Sequence, residues 1–434
     1  MIFAFLIITF IGTTISFASD TLTVGPEGNY TNIQDAINAA SPGATILVEI
    51  GTYNGDLHID KQLTLKGQNI EYGHPVICGS GNGDVITISA DGVRIEGFEI
   101  KNSEKYASAI RVESNDNTIT GNSVTGCNEG IRMDHSDRNL ITDNKLIDNR
   151  GDGIYIHNSD DNVISQNDAE RNQFGIQGNN LKGNIINRNN FKANTGIDVY
   201  LENVTDTMID SNRVEDNEHA SRSGGDGIGM RYGNNITISN NYVGKHYYGI
   251  KVYYSSLVTV TNNTAENSGV NIRFDFGTTD SNITHNVVKN GVDNILLGGD
   301  STRILIEYNE VSSGKDGIYL FSSSNNTVQH NNVQGSTYGI RLYKSTDNLI
   351  TLNYLHENDN DIYPDATGST VGDNANRANY FGPDKSQTIT ATPTSIPVTG
   401  TPSTPSNPTA TPSQNQEPTD IISEIIDLIR DLFS

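Results

Sequence analysis

From Ala109 to Tyr363 the chain repeats one short phrase of alternating apolar and polar positions. Its first half sets an isoleucine behind a glycine, as in Glu129-Gly130-Ile131, Asp152-Gly153-Ile154, Thr195-Gly196-Ile197, Asp226-Gly227-Ile228 and Tyr338-Gly339-Ile340. Successive copies lie 21 to 23 residues apart, except that Ile197 and Ile228 are separated by 31. The second half carries an asparagine between apolar positions, at Asn122, Asn144, Asn167, Asn189, Asn212, Asn241, Asn263, Asn286, Asn309, Asn331 and Asn353. A fixed period of this kind predicts a solenoid.

Within each half-phrase the alternation has period two, as in Ile131-Arg132-Met133 and Ile154-Tyr155-Ile156, which suits strands with one buried face. The leucine-rich frame is absent, and helical repeats need longer units. What remains is an all-β coil of short parallel strands, each turn stacked about 4.8 Å above the last. An inward asparagine at one corner can bond corner backbone and its copies above and below, so the series is expected to form a structural ladder. The glycine before each isoleucine is expected to ease an unusual backbone at a corner. The 31-residue interval places about nine extra residues in a loop within 215–225, which can wall a groove or be a tolerated insertion.

Outside the repeats, residues 1–18 form an apolar run ending Ser16-Phe17-Ala18, a small-x-small signature that reads as a secretory signal. Residues 31–40 have the spacing of a short amphipathic helix, stopped by Ser41-Pro42-Gly43 and expected to cap the open end of the stack. The body runs from 19 to 386. Residues 387–418 are rich in Thr, Pro and Ser, the composition of an extended stalk. Residues 419–434 set Ile421, Ile425, Leu428 and Leu432 on one side of a helix against Asp420, Glu424 and Asp431, too short and too charged to span a bilayer and suited to a protein partner. Six Asn-x-Ser/Thr sequons, from Asn29 to Asn325, are compatible with export to the cell surface.

A formal charge of −24 disfavours nucleic acid or an anionic membrane as partner. Two cysteines, Cys78 and Cys127, make no disulfide framework; the repeat places them two coils apart, about 10 Å, as buried free thiols.

The run Ile33-Gln34-Asp35-Ala36-Ile37, Ser41-Pro42-Gly43, Gly51-Thr52-Tyr53 and Leu63-Thr64-Leu65-Lys66-Gly67, followed by these repeats, resembles the right-handed parallel β-helix family, in particular its NosD-like members. The resemblance covers residues 22 to 382. It implies the fold and leaves activity open, because the family includes pectate lyases, epimerases, tailspike-like hydrolases, a copper-site maturation factor and surface proteins without known chemistry.

With Ile131 and Met133 inward, the residues between them point outward, and the same register on other coils builds one long face. It carries Glu113, Arg132, Asp134, Tyr155, His157, Asp198, Tyr200, Arg231, Lys251, Tyr253, Arg273, Asp275, Tyr319, Arg341 and Tyr343. Arg and Lys suit the carboxylates of an acidic polysaccharide, and tyrosines offer flat apolar surfaces to sugars. The competing reading is an ordinary solvated strand face. For catalysis, Glu113 and Asp134 stand on neighbouring coils with His157 one coil on, a spacing that passes for glycosidic chemistry, whereas Asp134, Asp198 and Asp275 lie three coils apart and are too distant. β-Elimination or epimerisation would use His157 with Arg132, or Lys251 with Arg273. Met133-Asp134-His135 faintly resembles the Asp-Pro-His motif of mannuronan epimerases, without its proline.

The histidines are dispersed and methionine is scarce, so the residues suggest no metal site, and no cofactor is required. A copper role is implied only by the family resemblance. Two functions stand: an exported surface protein that binds an acidic polysaccharide, with its processing by lyase, epimerase or hydrolase chemistry left open, or a structural or adhesive surface rod.

Overall fold

The structure, a computed structural model, describes residues 20–68, 73–215, 225–364, 375–377 and 379–381. Residues Met1–Ser386 and Gln387–Ser434 form separate units. The apolar leader, most of the extra loop, the stalk and the terminal helix lie outside the described residues.

The described chain is a parallel β-solenoid of about 14 turns. A typical coil has three strands, such as Glu129–Asp134, Leu140–Thr142 and Lys145–Ile147. Each pairs in parallel with its equivalent one coil away. The first two strand columns join into a 29-stranded sheet and the third forms a 15-stranded sheet.

Inward aliphatic residues stack in register along the axis, from Ile86 through Ile110, Ile131, Ile154, Ile176 and Val199 to Ile340 and Ile362. The core is therefore continuous along the stack. It closes because every coil buries its alternate apolar positions against the coils on both sides.

The asparagine ladder is present as expected, and it extends to Asn379. Each rung's Nδ2 donates to the next rung's Oδ1, as from Asn241 to Asn263 at 3.0 Å, and to a carbonyl of the preceding coil, Ile209 O at 2.9 Å. The next rung's Oδ1 also accepts from the backbone N–H, at 2.9 Å for Asn241. The residue before each rung from Asn122 to Asn353 is left-handed, with φ 57° at Asp143, 55° at Asn240 and 53° at Tyr308. Further runs that the sequence reading missed, Asn117–Asn139–Asn162 and Asn149–Asn172, line other corners.

Two expectations are corrected. The glycines before the isoleucines are not left-handed; they are needed because the neighbouring coil's backbone comes close, and a Cβ on Gly130 would lie 2.4 Å from the carbonyl oxygen of Gly153. The two thiols are free, but Cys78 points outward from the third column and is half-buried, while Cys127 is buried.

The capping helix spans Ile33–Ala39, with Asn32 as N-cap and Ile33, Ala36 and Ile37 buried. Gln34 completes the cap: its Oε1 accepts from the backbone N–H of His58 at 2.8 Å and its Nε2 donates to the same residue's carbonyl at 3.1 Å. Lys61 Nζ donates to the carbonyls of Ile37 and Asn38 at the helix end, at 3.2 and 3.3 Å. Among the described residues no helix is long and apolar enough to cross a membrane.

Candidate functional site

The outward face of the first strand column assembles most of the predicted site residues. Strand pairing sets Arg132 beside Tyr155 and Asp134 beside His157. Farther along, Tyr200 and Glu202 stand beside Gly229 and Arg231, then Lys251 and Tyr253, then Arg273 and Asp275. Tyr319 and Phe321 stand beside Arg341 and Tyr343.

One predicted residue is not on this face. Val199, rather than Ile197, aligns with Ile176, so Asp198 falls in the inward station that glycine fills on neighbouring coils. Both Asp198 and His246 are 0% exposed, joined by a 2.8 Å contact to the imidazole Nε2, and Asn194 donates to the same carboxylate at 2.6 Å. Burial pushes the Asp198 carboxyl up, and the histidine holds it back. Val199 to Ile228 is 29 residues against the usual 22 or so, so the insertion is about seven residues. Asp275 points outward yet is buried: its Oδ2 accepts from Arg273 Nε at 2.8 Å, and its Oδ1 from the N–H of Phe276 at 2.9 Å.

The cations are paired with carboxylates on the same face. Arg111 meets Glu113 at 2.7 Å, Arg132 meets Glu129 at 3.4 Å, and Arg231 meets Glu202 at 3.3 Å. Lys251 meets Asp226 at 3.3 Å, Arg341 meets Asp316 at 3.2 Å, and Arg273 is held by Asp275. Many of these acids stand just before the glycine station: Glu129, Asp152, Asp226 and Asp316, with Asp293 at the same place one coil before Asp316. They were missed, although their recurrence in the Asp-Gly-Ile phrase was a usable signal. Burial, then the charge of Glu129, raises the Asp152 carboxyl to about 7. Burial, then a hydrogen bond with Asp316, raises Asp293 to about 7.

Aromatic rings lie against the paired cations. The Arg132 guanidinium sits 4.8 Å from the Tyr155 ring centre, Lys251 Nζ 4.5 Å from Tyr248 and 5.2 Å from Tyr253, and Arg341 4.7 Å from Tyr319. Phe321 and Tyr343 stack at 5.2 Å. Burial raises the Tyr200 hydroxyl, and so does its bond to Glu202 at 3.0 Å.

Of the proposed catalytic set, Asp134 and His157 meet, with Oδ1 and Nδ1 3.1 Å apart, and His135 Nδ1 lies 2.9 Å from the same oxygen. Burial would raise Asp134, but the His157 hydrogen bond, followed by the charges of His135, His157 and Arg132, lowers it on balance. An ionised carboxylate on Nδ1 orients the imidazole and leaves Nε2 to take a proton. Glu113 is engaged by Arg111 instead.

A family model described as the right-handed β-helix region matches residues 62–214 and 108–264, and one described as the periplasmic copper-binding protein NosD matches 200–385. The chain is a NosD-like right-handed β-helix repeat protein. No curated protein matches this β-helix. Among solved structures it is similar to the gene product 12 of bacteriophage phi29 in its pre-mature form, at 12% identity and TM-score 0.51, covering 74% of this chain and 55% of that one. It is also similar to the A-module of a mannuronan C-5 epimerase of Azotobacter vinelandii, at 13% identity and TM-score 0.45, covering 81% and 94%. A DFA-IIIase of Arthrobacter chlorophenolicus gives 13%, 0.41, 83% and 98%. At such identities the likeness concerns the fold alone.

Copper calls for converging imidazole, thiolate or thioether donors. In the stretch that matches NosD, His246 is committed to Asp198, His285 and His330 are held apart by the Tyr308 ring between them, and His356 bonds Asn332 at 3.0 Å. Among the described residues no group of three or more His, Cys, Asp or Glu side chains is arranged to hold a metal ion. The described side chains of this β-helix do not fit a copper centre.

Proposed function

We propose that this β-helix is an exported protein that binds a polysaccharide along the outward face of its first strand column. The observation that carries the reading is the repetition, over successive coils, of a cation paired with a carboxylate and laid against a tyrosine ring. Such units offer fixed donors and acceptors to sugar hydroxyls and a flat apolar surface to the C–H side of a pyranose. The apolar leader and the periplasmic description of the matching family model support export.

The sequence pointed to an acidic polymer. Because Arg111, Arg132, Arg231, Lys251, Arg273 and Arg341 are each already neutralised, and carboxylates outnumber cations on the face, a hydroxyl-rich chain of low charge fits better than a dense polyuronate. Processing of the bound chain would fall to the Asp134–His157 pair, with the imidazole as base and Arg132 beside it.

A ligand-free rod is the second reading, and the same pairing of the cations favours it. A carbohydrate array with neutral and uronate polymers, probed with residues 19–386, separates the two. Selective binding of a neutral polymer supports the proposal; binding only to polyuronates, lost with salt, would restore the acidic ligand; no selective ligand leaves the rod. Incubating a bound polymer and looking for new reducing ends, unsaturated ends or C5 inversion, with His157→Ala and Asp134→Asn as controls, tests processing.

A further inference from the structure

At the corner that ends the first strand column, one residue per coil adopts the left-handed conformation. Along the axis this station is His135, Asn158, Asn180, Asn203, Tyr232, Tyr254, Phe276 and Gly299, with φ between 47° and 57° throughout. The asparagines are at home there, because their short polar side chains tolerate positive φ. They also bond one another outside the coil, Asn180 to Asn158 at 3.0 Å and Asn203 to Asn180 at 2.6 Å.

Three coils break the pattern. Tyr232, Tyr254 and Phe276 stack at 5.4 and 5.5 Å between ring centres, yet they remain 44, 46 and 49% exposed. A bulky ring at positive φ is strained, and this one leaves about half its surface in water. The fold does not require it, since asparagine or glycine serves at the same station on adjoining coils. A local rule broken on three successive coils, where asparagine or glycine would serve, marks a place kept for something other than the fold. Arg231 supports the group from the face side: its guanidinium lies 4.6 Å from the Tyr232 ring centre and donates to the Tyr232 hydroxyl at 2.9 Å, while Glu202 holds its other end. At the far end the next coil contributes Gly299, which has no side chain to lay over Phe276.

We infer that the Tyr232–Tyr254–Phe276 corner is the anchoring subsite for the polysaccharide, taking the apolar side of a pyranose on the Phe276 ring while the tyrosine hydroxyls and Arg231 meet its hydroxyl groups. The inference rests on the glycan reading and moves its strongest contact from the strand face to the corner. It also orders the ligand along the solenoid axis, because the stack bridges three coils beside Tyr253 and Lys251.

The test exploits the neighbouring asparagines. Tyr232→Asn, Tyr254→Asn and Phe276→Asn, made together in the full chain, place at each site the residue that adjoining coils already carry, so the protein should melt at or above the parent temperature. Affinity for the neutral polymer that scores highest on the array should fall at least tenfold. The chain contains no tryptophan, so tyrosine fluorescence can follow binding in the parent. Phe276→Tyr should keep most of the affinity. If the parent binds a polymer and the triple variant binds it equally well, the corner is not the anchor, although the glycan reading survives. A parent that binds no polymer overturns both. A triple variant that melts well below the parent shows instead that the rings serve the fold.

Discussion

Two corners of the same coil behave differently. At one, asparagine recurs from Asn122 to Asn379, buried and bonded in both directions along the axis. At the other, the left-handed station after the first column changes from histidine to asparagine to aromatic to glycine. The first corner points inward, where an unmet backbone group costs about 1–3 kcal/mol, so chemistry leaves one good answer. The second points into water, where many side chains serve. Uniformity along a solenoid therefore marks what the fold needs, and variation marks where a ligand can be accommodated.

Four measurements break or sharpen this contrast. The largest effect is expected at the inward pair. His246→Leu leaves the Asp198 carboxylate buried without its partner and should cost about 3–5 kcal/mol in chemical denaturation. Replacing both, with Asp198→Ala added, should recover part of that loss; a double variant no better than the single one would mean that the two do not act as a pair. Next comes the ladder. Asn241→Leu strips partners from the carbonyl of Ile209 and the N–H of Asn212, so about 2–4 kcal/mol should be lost, against under about 0.5 kcal/mol for Thr259→Ala on an outward strand position. If these two variants unfold alike, the ladder is ornamental.

The third measurement is pH. Asp152 and Asp293 have folded-state values of about 7, above the ordinary carboxylate range. At these two sites the folded chain binds more protons than the unfolded chain between pH 4 and 7, so their contribution favours the fold at the acid end and is withdrawn as pH rises through that window. Asp152→Asn and Asp293→Asn should each flatten the decline and raise the melting temperature at pH 8; an unchanged pH profile would show that neither carboxyl is protonated in the fold. The smallest effect belongs to the exposed ion pairs. Arg111→Gln should change stability by less than about 1 kcal/mol, since the Glu113 it pairs with is exposed and the pair is screened by salt. A larger loss would make the face part of the scaffold.

The fold was legible because a solenoid writes each coil out in full: the Ile and Asn positions alone define the strands, the buried side and the ladder. The helix at Ile33–Ala39 was legible from its spacing and its Pro-Gly stop. The site was legible only in part. Alternation correctly sent Arg132, Tyr155, Lys251 and Arg341 outward. It failed at Asp198, because the station before the first inward aliphatic residue is also folded inward, and two consecutive buried positions defeat a period of two. It could not show that Lys251 and Arg341 would be neutralised, since their partners Asp226 and Asp316 lie a coil away in sequence. Nor did it distinguish Tyr232, Tyr254 and Phe276 from other surface rings, because a left-handed backbone has no signature when the residue is aromatic.

A stack of parallel strands ends in a row of amide and carbonyl groups ready to accept another strand, and an identical molecule would present a matching edge. By bonding both backbone groups of His58, the Gln34 side chain occupies a strand's place at the head of the first column. The helix thus covers a strand edge as well as apolar residues. A Gln34→Ala chain should fold and yet, on standing at high concentration, lengthen into fibres that the parent does not form.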